Sequence, residues 1–151
     1  MDDRIKLKDY EFWKKSNRNL FSKRDYIHAI ITSKKASLDL YFAFLDLYWP
    51  KFVEKDNMIF IEDSLQTKKQ LLEDQKTSPK EKEYWINFLS IDGLLTNEED
   101  QDKLSHLSMK IAEAWKSKLH NDFPKRKFKL HVISDDDDIA VTFHQVFIEN
   151  K

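Results

Sequence analysis

Four consecutive carboxylates, Asp135-Asp136-Asp137-Asp138, are the most unusual polar feature of the chain. Calcium is the first chemistry they suggest. An EF-hand loop, however, sets its ligands at alternating positions around a central glycine and closes with a glutamate. Neither residue stands at the required interval here, and neighbouring aspartates on a tight turn point in different directions. The run reads as a solvated hairpin tip or as an anionic contact for a basic partner, ahead of a metal site. A second acidic group, Glu98, Glu99, Asp100 and Asp102, opens a helix whose far end carries Lys116, Lys118 and His120. That order suits the helix dipole without any function. The same residues can also join the tip in one partner-binding surface.

His131 and His144 are the next candidates. If Asp136 and Asp137 form a two-residue loop, Lys129 pairs with His144 and His131 with Thr142. The imidazoles then become diagonal neighbours on the face opposite Leu130 and Phe143, within reach of each other. Two histidines without a third ligand make a weak metal site, so a polar sheet face is the expected reading. His106 cannot be brought near them from sequence, and His28, alone on a helix, reads as structural.

Asp39, Asp46, Glu54 and Asp56 surround an apolar helix and the hairpin after it. A carboxylate held in an aromatic core has a raised pKa and can serve acid–base chemistry. A small enzyme or ligand-binding domain using the carboxylates near Asp46 and Glu54 is therefore the competing reading. Asp39 and Asp46 lie seven residues apart, on one helical face, which reads as the solvent edge of that helix.

Other chemistry is excluded by composition. Cysteine is absent, which removes disulfides, thiolate zinc sites and cysteine nucleophiles. One glycine cannot build a phosphate-cradling loop, and neither Gly-x-Ser-x-Gly nor His-Glu-x-x-His occurs. No catalytic residue, metal or cofactor is expected. Lys125-Arg126-Lys127-Phe128-Lys129 is basic with an aromatic, as phosphate contacts require. The sequence pI of about 6.5 lies well below that of domains that bind nucleic acid, so no nucleic-acid partner is expected.

The elements that must position these residues can be read in order. At 151 residues the chain is expected to form a single domain, 1–151. Its aromatic content of 13% argues against disorder. A net charge of −1 conceals alternating blocks: residues 1–35 carry +5, 54–102 carry −7, 103–129 carry +6 and 130–151 carry −4. Such blocks complement one another on folding or form distinct faces that steer a charged partner. No charged leader precedes an apolar run, and no apolar stretch is long enough to span a bilayer, so a cytoplasmic protein without membrane contact is expected.

Leu7, Tyr10, Phe12 and Trp13 begin a helical region, with Asn17 or Ser22 capping the segment that carries Tyr26 to Ile31. Leu38 to Trp49 is apolar on almost every side and reads as a buried central helix stopped by Pro50. That helix is expected to be interior filling rather than a docking ridge. Phe52-Val53 and Met58 to Ile61 form a hairpin turned by Lys55-Asp56-Asn57. Ser64 is expected to cap a helix through Leu65, Leu71 and Leu72. Ser78-Pro79-Lys80-Glu81 is a capping box whose helix carries Tyr84, Trp85, Phe88 and Leu89 to a left-handed stop at Asp92-Gly93. A further capping box, Thr96-Asn97-Glu98-Glu99, opens a helix with the stripe Leu104, Leu107, Ile111, Ala114, Trp115 and Leu119. Phe128 to Ile133 and Ile139 to Phe147 alternate with period two and form a second hairpin. The fold class is α+β: about four antiparallel strands in two hairpins packed against a layer of five or six helices, two-layer.

Leu47-Tyr48-Trp49-Pro50-Lys51-Phe52-Val53-Glu54, together with Trp115 and Phe123-Pro124-Lys125-Arg126-Lys127-Phe128, resembles a group of small uncharacterised bacterial proteins. These share a Trp-Pro-x-Phe-Val-Glu junction and a late Phe-Pro-x-Arg-x-Phe. The resemblance covers the chain from about residue 26 and implies no activity. Size, charge segregation and the lack of a catalytic motif also resemble the immunity proteins that neutralise bacterial toxins. That likeness implies a non-enzymatic protein-binding domain that occludes a toxin's basic site with an acidic surface, Asp135, Asp136, Asp137 and Asp138 with Glu98, Glu99, Asp100 and Asp102.

Overall fold

The computed structural model describes residues 5–95 and 100–147. The chain divides into two units, Met1–Phe44 and Leu45–Lys151.

In the first unit, α1 (Lys8–Ser16) and α2 (Lys23–Lys34) are held by aromatic rings. Trp13 stacks on Phe21 with centroids 6.1 Å apart, and Tyr10 meets Tyr26 edge-on at 5.7 Å. Ser22 caps α2 through a reciprocal box. Its backbone N–H donates to the Asp25 carboxylate at 2.7 Å, while its hydroxyl accepts from Asp25 N at 3.2 Å. Lys35, in the left-handed region at φ 51°, ends the helix. No residue of α1 or α2 is fully buried.

The helix α3 (Leu38–Tyr48) corrects the sequence reading: none of its residues is buried. Leu38, Phe42 and Leu45 are 73%, 67% and 62% exposed, and Trp49 just beyond it is 47% exposed. Leu47 and Tyr48, near its end, pack against the core of the second unit, where the Trp115 indole N–H donates to Leu47 O at 2.9 Å. Apolar composition states that a helix gains by burial but not which element wins the interior. Here the interior is filled by other rings.

The winner is a strand. In the second unit, β4 (Phe128–Ser134) and β5 (Ile139–Gln145) form the expected hairpin, and Lys129 faces His144 while His131 faces Thr142. A short β3 (Leu89–Ser90) pairs with the other edge of β5, giving the order β3-β5-β4. Every residue of β5 is buried. On one face lies α8 (Gln101–Asp122), which sets Trp115 against Phe143 at 6.1 Å, while Phe52 and Phe128 meet the same ring at 5.5 and 5.9 Å. On the other face lies α6 (Pro79–Ile86), whose Tyr84 carbonyl accepts from the Thr142 hydroxyl at 2.6 Å. The class is α+β, as expected.

The first hairpin, β1 (Phe52–Lys55) and β2 (Met58–Ile61), turns on Asp56 and Asn57, at φ 50° and 64°. Two consecutive left-handed residues are what a tight two-residue hairpin turn demands. Lys55 stays in the strand, paired with Met58. The two short helices that follow, α4 (Glu62–Thr67) and α5 (Gln70–Glu73), correct a second expectation. Ser64 lies inside α4, which starts directly from β2 with no side-chain cap.

The capping box of α6 forms as expected, with Ser78 and Glu81 bonded reciprocally and Pro79 at the first position. The helix stops at Ile86 rather than near Gly93. The cause is Lys68, whose ammonium donates to the carbonyls of Trp85, Ile86 and Phe88 at 3.1, 3.2 and 3.0 Å. A cation on terminal carbonyls replaces a glycine stop. Gly93 sits instead in α7 (Ile91–Leu94), its N–H donating to the Ser90 hydroxyl at 3.1 Å. Among the described residues no helix is long and apolar enough to cross a membrane.

Candidate functional site

The strongest surface feature is one end of the second unit. Because α8 and β4 run in opposite directions across a short turn, the start of α8 lies beside the end of β4. The Ser105 and Ser134 hydroxyls meet at 2.6 Å and fix that adjacency. Asp100 and Asp102 therefore share an end of the second unit with Asp135, Asp136, Asp137 and Asp138. Asp92 joins them, its carboxylate accepting from Ile139 N at 3.3 Å and from the Ser90 hydroxyl at 3.0 Å. The Ser90 hydroxyl, then backbone N–H donors, hold Asp92 below the usual carboxylate range. Glu98, Glu99 and the expected capping box at Thr96 lie outside the described residues.

The carboxylates at this end differ in how far they are committed. Asp135 builds the turn: one of its oxygens accepts from Asp137 N at 3.0 Å and Asp138 N at 2.8 Å, and its own N–H donates to Asp138 O. Asp100 is the N-cap of α8, accepting from Lys103 N at 3.2 Å, and its other oxygen lies 3.5 Å from the Lys103 ammonium. Asp102, Asp136, Asp137 and Asp138 are exposed. Adjacent aspartates spread around a turn form a diffuse negative field rather than a chelating cage.

The opposite end is basic. The turn between α8 and β4 carries Lys125, Arg126 and Lys127, which line a shallow cleft of about 270 Å³ with Asn57, Gln145, Val146 and Phe147. It lies roughly 23 Å from the acidic end, the length of seven strand residues. Arg126 is already committed. It donates to Glu54 at 2.7 Å, to Asn57 O at 3.2 Å and to the Gln145 side chain at 3.1 Å. Glu54 is thus engaged in an ion pair, while Asp46 is exposed on α3. The two are not joined by a hydrogen bond among the described residues.

His131 and His144 come together as the register requires, ring centroids 5.0 Å apart. Their face is not open as a polar sheet face would be, because α6 covers it and the Tyr84 ring meets His131 at 5.3 Å. His144 is buried, its Nδ1 2.9 Å from Gln145 O, and the buried Nε2 of His131 has no hydrogen-bond partner among the described residues. Burial first, then His144, Lys129 and Lys80, push His131 below its ordinary value. Among the described residues no three His, Asp or Glu side chains are placed to hold a metal ion.

A polar network that sequence reasoning missed ties the sheets together. Glu83 is fully buried on α6; one oxygen accepts from Ile59 N at 2.8 Å and from the Gln145 amide, the other from Gln145 N at 2.6 Å. Asn87, one turn on and also buried, accepts from Ile61 N at 2.9 Å and donates to Ile59 O at 3.0 Å. These side chains satisfy backbone groups of β2 that face away from β1, together with the Gln145 N–H of β5. The available signal was two polar residues four apart, flanking Ile86 on the face that should be apolar.

Comparison with protein families, curated proteins and solved structures finds no match to this chain.

Proposed function

We propose that the chain is a non-enzymatic protein-binding domain that engages a basic surface of a partner protein with its acidic end. The observation that carries this reading is the Ser105–Ser134 contact, which sets Asp100 and Asp102 beside the Asp135–Asp138 tip. Like charges gathered on one exposed end cost stability through repulsion, and they steer encounter with a basic partner. The basic turn lies at the other end, so the second unit is an electric dipole that orients itself in a partner's field. Occlusion of a toxin's basic site, an immunity role, is the specific form such a surface serves.

The test uses Asp136→Lys with Asp137→Lys, which spares Asp135 and so the turn. The full chain and this variant serve as bait in the native host, followed by association kinetics with the recovered partner. A basic partner should associate roughly tenfold more slowly with the variant at low salt, and with a flatter salt dependence. Co-expression of wild type, but not the variant, should protect a host from the partner if that partner is a toxin. Equal association rates refute the assignment of this end.

A further inference from the structure

The outer strand β4 has a free edge whose sequence is complementary to itself. Its hydrogen bonds to β5 are made by odd-numbered residues: Val146 N donates to Lys127 O at one end, and Asp135 N to Asp138 O at the other. The alternation of an antiparallel ladder then turns the backbone groups of Phe128, Leu130, Val132 and Ser134 outward. In the order β3-β5-β4 no described strand lies beyond them. Proteins guard such edges with a bulge, a proline or charged side chains, lysine above all. Here β4 runs seven residues without proline, Lys129 is its one lysine, and Val132 on it is exposed.

We infer that this edge is where a second copy of the chain docks, β4 against β4 antiparallel, joining two three-stranded sheets into one of six strands. The occupant follows from charge. A two-fold axis through His131 is the one register in which all four outward residues meet outward residues, Phe128 with Ser134 and Leu130 with Val132 of the second copy. That register sets Lys127 opposite Asp135 and brings the turn that carries Lys125 to the tip that carries Asp137, twice over by symmetry. All four of these charged residues are exposed. Lysines at one end of an edge strand normally repel another strand, but in an antiparallel pair of this strand with itself they meet the aspartates at its other end. The pairing goes beyond the acidic-end reading and does not depend on it, since it needs no foreign partner.

Sedimentation equilibrium of the full chain is the direct test. A species of twice 18.2 kDa should form with a dissociation constant on the order of 10 µM at low salt, weakening as salt rises. Val132→Pro removes an outward N–H that β5 does not use and should leave a folded monomer, checked by circular dichroism. Lys125→Asp and Asp137→Lys should each weaken the dimer about tenfold. The double variant Lys125→Asp with Asp137→Lys should recover wild-type affinity, which no general loss of stability would do. A wild type that stays monomeric at about 200 µM overturns the proposal. So does a dimer indifferent to Val132→Pro in a folded chain, or a double variant no tighter than the single ones.

Discussion

Replacing Glu83 by glutamine tests the network that joins the two hairpins. The native carboxylate receives three donors, Ile59 N and the Gln145 amide on one oxygen and Gln145 N on the other. A glutamine amide has one oxygen, and its NH₂ must stand where the second was. The less costly orientation keeps Ile59 N and the Gln145 amide satisfied and sets the NH₂ against the Gln145 backbone N–H. One buried donor is then orphaned and faces another donor, a loss of about 2–3 kcal/mol. Glu83→Ala orphans all three and opens a cavity, about 4–5 kcal/mol or more. A domain of this size holds about 5–15 kcal/mol in all, so the alanine variant falls near the limit of folding and the glutamine variant is the quantitative one. Urea unfolding followed by tryptophan fluorescence reads the difference, since Trp115 is buried in the core. At an unchanged m-value the midpoint should fall by about 1–2 M. A Glu83→Gln midpoint within about 0.3 M of wild type would refute the claim that both oxygens are needed.

Stability should also fall as pH drops below about 6.5, the ordinary histidine value. Burial keeps the proton off His131 in the folded state to lower pH than in the unfolded chain, so the unfolded state gains the proton first and is favoured by acid. Unfolding free energy measured between pH 7.5 and 5 should decline more steeply in wild type than in His131→Gln; parallel profiles would remove His131 as the cause. Lys68→Met should fray the end of α6 and cost about 1–3 kcal/mol by leaving three carbonyls without their cation. Hydrogen exchange confined to Asn87–Ser90 would report it, and unchanged protection there would dismiss Lys68 as the stop.

Both hairpins were legible because their signals are local. Alternation in Phe128–Ile133 and Ile139–Phe147 fixed the faces, and a two-residue loop at Asp136-Asp137 fixed the register down to the His131–Thr142 pair. The box at Ser78 was legible for the same reason. What failed was non-local. The end of α6 is set by Lys68, ten residues before the box, and no periodicity in α6 announces it. The burial of α3 failed because several apolar elements compete for one interior. Trp115 and Phe52 each meet Phe143 edge-on in the interior of the second unit, while Leu38, Phe42 and Leu45 are exposed. For the site, the sequence joined both acidic groups in one expected surface but offered no physical reason for their adjacency. The antiparallel course of α8 and β4 supplies it for Asp100 and Asp102.

The acidic end and the free edge of β4 share Asp137, but Lys125 belongs to the edge alone, and this makes their effects separable. Asp137 serves both, so Asp137→Lys should slow capture of a basic partner and also weaken self-pairing. Lys125 lies in the turn before the strand, at the end away from the tip. Lys125→Asp should therefore weaken self-pairing while leaving a larger fraction of chains with a free tip. If the two surfaces compete, the apparent association rate with a basic partner should rise in Lys125→Asp at concentrations where wild type is paired, and match wild type under dilution. If only the acidic end functions, Lys125→Asp should match wild type at every concentration. If only the edge functions, Asp137→Lys should dissociate the pair and change no other binding. The arrangement thus assigns Lys125 and Asp137 different effects in experiments on one protein, although they carry comparable exposed charge.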